Sequence, residues 1–149
     1  MHTLHIKHHI DNHRVSQFLN KTREWLNYID IDLQLIPLEV VYTPEDEDVA
    51  EGYFIEPDDG ERGTVCVATK LPERIWLTTL CHELGHVHQY IEKCPHYEKG
   101  GYYAELHAER RAQKMMIENK LPVDPAWHRS LTSEYLAQLR ESPYEPGER

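Results

Sequence analysis

The spacing of apolar positions changes twice along this chain, from helical to alternating and back to helical after Pro72. The first stretch predicts a helix over residues 11–29, which Asp11 or Asn12 can cap. Its large hydrophobic side chains recur at helical spacing and are Val15, Phe18, Leu19, Trp25, Leu26 and Ile29. The chain is therefore expected to begin with a helix that has an apolar face.

The alternating part of the chain predicts three strands. They cover residues 32–43, 49–55 and 64–69 and are separated by polar, turn-forming stretches. The pair Asp59-Gly60, between the second and third segments, is the strongest hairpin signal in the sequence. The three strands are therefore expected to form a small antiparallel meander.

A longer helix is predicted to follow this sheet. Pro72 and Glu73 suit its first turn, and it is expected to end near Cys94-Pro95. One face of this helix carries an apolar stripe made of Leu80, Leu84, Val87 and Ile91. That face is expected to pack on the core, which leaves the opposite face for a cleft.

Two more helices are predicted beyond a short loop. Residues 102–119 are rich in strong helix formers. Residues 131–140 predict a short last helix that Ser130 or Thr132 can cap. The polar tail at residues 141–149 is expected to be disordered.

The composition describes an acidic chain of ordinary hydrophobic content. Its 149 residues suit one core, so residues 1–140 are interpreted as a single α+β domain. A net charge of −10 repels phosphate backbones, so no nucleic-acid partner is expected. Membrane-length apolar runs and a signal-peptide core are both missing from the sequence, which predicts a cytoplasmic protein without a membrane partner. The odd number of cysteines, three, predicts buried reduced thiols.

The candidate chemistry lies in the sequence HELGH at residues 82–86, which contains H-E-x-x-H. Positions four apart share a helix face, so His82 and His86 can bind one tetrahedral zinc ion. Glu83 can reach a water on that metal as general base without binding the metal itself. Gly85 costs the helix roughly 1 kcal/mol against alanine, but it lets another backbone or a substrate come close.

A catalytic zinc site requires a third protein ligand and one open position. Glu105 is the candidate, because two antiparallel helices joined by a short loop bring it across from the histidines. Glu109 lies one turn further on and can accept a hydrogen bond from a ligating imidazole. Ala108 and Ala112 are small and permit these two helices to pack closely.

The sequence HELGH followed by E-x-x-A-E-x-x-A at residues 105–112 resembles zinc peptidases of the gluzincin type, whose third ligand is a glutamate on a later helix. Within that group, residues 72–118 are most similar to the ImmA/IrrE-type metallopeptidases of phages, mobile elements and stress regulators. The resemblance implies a minimal zincin-like fold and one zinc ion per chain, held by His82, His86 and Glu105. It implies Glu83 as the base that hydrolyses peptide bonds in a protein or peptide substrate. Glu109 departs from the family pattern, which usually has Asp or Asn there.

Two other interpretations stay open. A SprT-like protease takes a histidine as third ligand, and His107 is the candidate, although it lies on a different helix face from Glu105. A non-catalytic, zinc-stabilised binding module of a phage or mobile element is the second alternative. The presence of Glu83 argues against it, because a structural zinc site has no use for a base.

The sequence leaves three details undecided. The group that stabilises the oxyanion can be Tyr102, Tyr103, His107 or His96. An edge strand, with residues 64–69 as the candidate, can bind an extended substrate by strand addition. A second metal site is conceivable near the N-terminus, but a solvated segment is the preferred interpretation of its histidines, which are His2, His5, His8, His9 and His13.

Overall fold

The structure, a computed structural model, describes residues 2–44 and 48–140, with the side chains of residues 2–12, 96 and 99 left out of the description. The first half of this region contains helix α1 and five strands, which are α1 His2–Tyr28, β1 Ile31–Ile36, β2 Val41–Tyr42, β3 Val49–Ala50, β4 Gly52–Ile55 and β5 Gly63–Ala68. The second half is helical and comprises α2 Glu73–Glu92, α3 Pro95–Lys99, α4 Gly101–Glu118 and α5 Pro125–Arg140. The predicted α+β class is confirmed.

The main sheet has the strand order β1-β5-β4 and is mixed, so the predicted antiparallel meander is wrong. The predicted hairpin at Asp59-Gly60 does form and makes β4 antiparallel to β5. β1 pairs with β5 in parallel, from Ile31 opposite Gly63 to Ile36 opposite Ala68. The four residues from Val65 to Ala68 are at most 3% exposed, and such a continuous buried run suits a central strand.

The central position of β5 overturns the expectation that residues 64–69 form an edge strand for substrate. Both neighbours of β5 are occupied, by β1 on one side and by β4 on the other. The edge strand on the side of α2 is β4, whose Gly52 packs against Thr79 of that helix. Any strand addition beside α2 would therefore involve β4.

Two of the predicted strands are divided. Residues 32–43 separate into β1 and β2, because Pro37 follows β1 and the backbone N–H of Leu38 turns back to the carbonyl of Ile36 at 2.7 Å. Residues 49–55 separate into β3 and β4 at Glu51. The short strands β2 and β3 form a small antiparallel sheet of their own.

The helices begin earlier than predicted at both ends of the chain. α1 begins at His2 rather than at residue 11. α5 begins at Pro125, a favourable first helical residue, and the Asp124 carboxylate accepts a hydrogen bond from the N–H of Ala126 at 3.2 Å. Ser130 and Thr132 are therefore interior residues of α5 and cap nothing. The segment after α2, predicted as a loop, contains the short helix α3.

The core lies between the sheet, α1 and the inner faces of α2 and α4. The predicted stripe of α2 is buried at Leu80, Leu84 and Val87, whereas Ile91 at the end of the helix is exposed. The backbones of α2 and α4 come so close at Gly85 that a side chain has no room there. A Cβ added to Gly85 would lie 2.5 Å from the carbonyl oxygen of Ala108. The predicted close approach of the two helices is confirmed. It sets the distance between the histidines of α2 and the glutamates of α4.

The three cysteines are free thiols, with Cys66 and Cys81 buried and Cys94 partly exposed. The prediction of buried thiols is confirmed for the first two. Among the described residues, none of the helices has both the length and the apolar character needed to cross a membrane.

Candidate metal centre

Three side chains from two helices converge on one point. His82 and His86 lie one turn apart on α2, and Glu105 faces them from α4. Glu105 Oε2 lies 2.8 Å from His82 Nε2 and 3.3 Å from His86 Nε2, and the two Nε2 atoms are 3.2 Å apart. Among the described residues, this group of three has the composition and spacing to hold a metal ion.

The spacing suits a tetrahedral ion. Zinc bound at ~2.0–2.1 Å by nitrogen and oxygen atoms would space its ligand atoms ~3.3 Å apart. The three separations in the structure, 2.8, 3.2 and 3.3 Å, lie close to that value. Two imidazoles and one carboxylate also form a donor set that zinc accepts in catalytic sites, with one position left open.

The outer nitrogens of both imidazoles are already engaged. His86 Nδ1 lies 2.9 Å from Gln89 Oε1, and His82 Nδ1 contacts Glu109 Oε1. Both oxygens are acceptors, so each Nδ1 carries the proton and donates it. When the rings are neutral, this leaves both Nε2 lone pairs directed at the point where Glu105 also arrives.

Glu109 connects the site to the last helix of the structure. Its Oε1 accepts from His82, while its Oε2 lies 2.9 Å from His128 Nε2 and 2.6 Å from Thr132 Oγ1. His128 is 1% exposed. His128 and Thr132 were not predicted as part of the site, because His128 lies before the helix predicted at residues 131–140 and Thr132 was considered only as a cap of that helix.

Buried carboxylates crowd the site, and a cation would relieve their mutual repulsion. Burial opposes a charged His82 ring, but Glu105 and Glu109 outweigh it and hold the pKa of His82 well above its usual value. Burial likewise opposes an ionised Glu105, yet His82 and His86 lower its pKa to about 2. Protons on the imidazoles thus balance the carboxylates, which is the role that a divalent cation takes over when it binds.

Glu83 is buried beside these ligands. Burial raises the pKa of its carboxyl, the positive fields of His82 and His86 lower it, and the carboxylates of Glu105 and Glu109 raise it again. The net direction is upward. A carboxylate whose pKa is raised toward neutral pH accepts a proton more readily, which suits a general base.

Two tyrosines that the sequence did not single out lie at the rim. Tyr135 of α5 lies beside Glu105 and feels the charges of Glu105, Glu109 and Glu83. Burial and these carboxylates raise the pKa of Tyr135, so its hydroxyl keeps its proton. On the other side, the Tyr97 ring lies 6.4 Å from the His86 ring, and its hydroxyl donates to Glu56 at 2.7 Å.

The sequence-based candidates for the oxyanion group lie elsewhere or outside the description. Tyr102 packs on Tyr103 and lies under the guanidinium of Arg140, and Tyr103 is 60% exposed. The group of possible ligands contains Glu105 and does not include His107. The side chain of His96 lies outside the described residues, as do those of the N-terminal histidines apart from His13, which is exposed.

Comparisons of the chain with models of protein families, with curated proteins and with solved structures find no match. The resemblance to ImmA/IrrE-type peptidases therefore stays a prediction that rests on the motifs.

Proposed function

We propose that the protein is a zinc-dependent metallopeptidase that hydrolyses peptide bonds in a protein or peptide substrate. The observation that carries this proposal is the convergence of His82 Nε2, His86 Nε2 and Glu105 Oε2 within 3.3 Å of one another, beside a buried Glu83. A site that only stabilises the fold has no need for a base at that place. One zinc ion per chain would be held by His82, His86 and Glu105.

Each residue has a defined part in the proposed reaction. Zinc, when bound, polarises the scissile carbonyl and lowers the pKa of water toward ~7. Glu83 removes a proton from the attacking water and delivers it to the leaving amine, so its carboxylate is regenerated. The backbone contact between Gly85 and Ala108 keeps Glu105 at its distance from the histidines.

Tyr135 is the best-placed donor for the developing oxyanion. Its protonated hydroxyl lies at Glu105, next to the position where the scissile carbonyl must approach, and the residue is 44% exposed. A tyrosine at the mouth of the site can turn from Glu105 toward a substrate oxygen. This contact favours Tyr135 over the tyrosines Tyr102 and Tyr103 of α4.

Metal content and hydrolysis test this proposal together. Purified wild-type protein, Glu105→Gln and Glu83→Gln are analysed for zinc by elemental analysis and for cleavage of a mixed peptide library by mass spectrometry. Glu118→Gln is the matched control, because Glu118 is an exposed glutamate on the same helix as Glu105. We expect about one zinc per chain in wild type, Glu83→Gln and the control, and much less in Glu105→Gln.

Hydrolysis should follow a different pattern from zinc content. It should be present in wild type and the control, and fall roughly 10²–10⁴-fold in Glu83→Gln, which keeps its metal but loses its base. Zinc binding without any Glu83-dependent cleavage would instead support a zinc-stabilised binding module. Zinc retained in Glu105→Gln would make His107 the next ligand to test. Failure of the wild type to bind zinc would refute the proposal.

Tyr135→Phe removes only the hydroxyl at the mouth of the site. We expect kcat to fall about 10²-fold while zinc content stays the same, because one oxyanion donor is lost. Tyr103→Phe, on an exposed ring, is the control and should change kcat little. Equal effects of the two substitutions would contradict the assignment of Tyr135.

A further inference from the structure

We propose that α5 belongs to the metal centre, with His128 and Thr132 acting as positioning residues that orient the ligand His82 through Glu109. The inference rests on the metal site of the proposed function and extends it to a helix outside the H-E-x-x-H and glutamate motifs. Neither residue contacts the metal position itself. Their effect passes through one carboxylate.

The connection is a continuous chain of hydrogen bonds across three helices. Thr132 Oγ1 and His128 Nε2 of α5 lie 2.6 and 2.9 Å from Glu109 Oε2 on α4. The other oxygen of that carboxylate, Oε1, accepts from His82 Nδ1 on α2. Because the two carboxylate oxygens are rigidly joined, fixing Oε2 fixes the direction from which Oε1 meets the ring of His82.

Burial determines which ring nitrogen of His128 carries the proton. His128 Nδ1 is buried and has no hydrogen-bond partner among the described residues. Placing the proton there would leave a buried N–H unpaired and would turn the Nε2 lone pair toward a carboxylate oxygen. Both consequences of a proton on Nδ1 are costly, so the proton of His128 lies on Nε2 and is donated to Glu109.

The order of donors and acceptors along these hydrogen bonds determines how His82 is oriented. Glu109 Oε2 receives two donors from α5, which leaves Oε1 as the acceptor for His82 Nδ1–H. His82 is thereby held with its Nε2 lone pair toward Glu105, 2.8 Å away. Without the α5 donors, the carboxylate of Glu109 could rotate in its pocket, and the imidazole would lose its fixed orientation.

His128 and Thr132 are four residues apart and therefore lie on the same face of α5, one turn from each other. Their polar atoms are 3.3 Å apart and meet the same oxygen. A histidine that is 1% exposed needs a reason to be in the interior, where a hydrophobic residue would pack without a polar cost. Support of the carboxylate beside the metal ligand supplies that reason.

Zinc affinity tests the inference independently of peptidase activity. Thr132→Val removes the hydroxyl at nearly constant volume, and Thr132→Ser keeps it. His128→Leu removes the donor, and His128→Gln keeps an N–H at a similar distance. Zinc dissociation constants are measured for each variant by competition with a chromophoric chelator, after circular dichroism has established that the metal-free protein is folded.

The control separates positioning from general loosening of α5. Leu136 is a buried residue of the same helix, and Leu136→Ala should weaken the docking of α5 without removing a hydrogen bond from Glu109. We expect zinc affinity to fall about tenfold or more in Thr132→Val and His128→Leu. Thr132→Ser and His128→Gln should restore most of it. Leu136→Ala should lower the melting temperature of the metal-free protein and leave the zinc affinity of the folded protein nearly unchanged.

The outcomes distinguish this inference from the proposed function. Unchanged affinity in Thr132→Val, or an equal loss in Leu136→Ala, would overturn the positioning role even if the protein is an active peptidase. Loss of zinc affinity in Thr132→Val together with its recovery in Thr132→Ser would support the positioning role even if no peptide is cleaved. This result would be sufficient even if His128→Leu fails to fold. A wild-type protein that binds no zinc would overturn both.

Discussion

The two histidines of the candidate centre are held in different ways. His86 donates its Nδ1 proton to Gln89, three residues further along the same helix, at 2.9 Å. His82 donates to Glu109 on α4, and that carboxylate is in turn held by His128 and Thr132 of α5. One orientation is therefore a local property of α2, and the other depends on the packing of three helices.

The partners also differ in charge. Gln89 is a neutral amide whose Nε2 donates to the carbonyl oxygen of Ala104 at 2.9 Å, so its orientation is fixed within the buried helix pair. Glu109 is a carboxylate, and hydrogen bonds from His128, His82 and Thr132 outweigh the effect of burial and lower its pKa. An anionic acceptor raises the basicity of the imidazole more than an amide does. We therefore expect the orientation and basicity of the His82 ring to depend more on its surroundings than those of the His86 ring do.

Among substitutions that test the difference between the two histidines, Glu109→Gln should have the largest effect on zinc affinity. The amide has one acceptor and one donor end, so it cannot accept from both His82 and His128, and it carries no charge. We expect zinc affinity to fall roughly 10–100-fold. Chelator competition measures it, with Glu118→Gln as control on the exposed side of α4. A loss no greater than that of the control would remove Glu109 from the site.

Gly85→Ala should have the next largest effect, because it forces α2 and α4 apart. Its Cβ would lie 2.5 and 2.9 Å from the carbonyl oxygen and Cα of Ala108, so one helix must move. We expect a loss of about 1–3 kcal/mol in the free energy of unfolding, partly offset by the better helix propensity of alanine. Urea denaturation of the metal-free protein measures it. Ala108→Gly should not rescue the variant, because the clash is with backbone atoms, and rescue would contradict this explanation.

Gln89→Met should have the smallest effect on the metal. The substitution keeps the volume but removes the acceptor for His86 and the donor to Ala104. Because the lost partner is neutral, we expect zinc affinity to fall less than tenfold, clearly less than for Glu109→Gln. The same chelator competition compares the two variants directly. An equal or larger loss in Gln89→Met would reverse the proposed ranking of the two histidines.

The helical half of the molecule was the more predictable part. The apolar stripe of α2, the small residues that let α4 approach and the presence of Glu105 opposite HELGH were all anticipated from spacing. The sheet was not, because strand order depends on which segments are buried on both faces. The continuous apolar run at Val65–Ala68 is typical of a central strand that is buried on both faces, but the order of the strands along the chain suggested a meander instead.

Three of the missed residues of the site share one feature. His128, Thr132 and Tyr135 all lie on α5, which begins six residues before the helix predicted at residues 131–140. The signal for an earlier start was present in Asp124-Pro125, where an aspartate precedes a proline at the first helical position. Placing α5 there puts these three residues on successive turns of one helix. Their contact with Glu105 and Glu109 could not be inferred from it.

The sequence by itself determined the part of the site that helix geometry sets. The spacing of four positions from His82 to His86 places both rings on one face, and the spacing of three positions from His86 to Gln89 places an acceptor within reach. The tertiary structure alone decided which side chains complete the centre. Glu109 and His128 are 19 residues apart, and only the packing of α5 on α4 brings them to 2.9 Å. Local spacing is fixed by the rise and turn of the helix, whereas contacts between helices depend on how all the buried surfaces fit together.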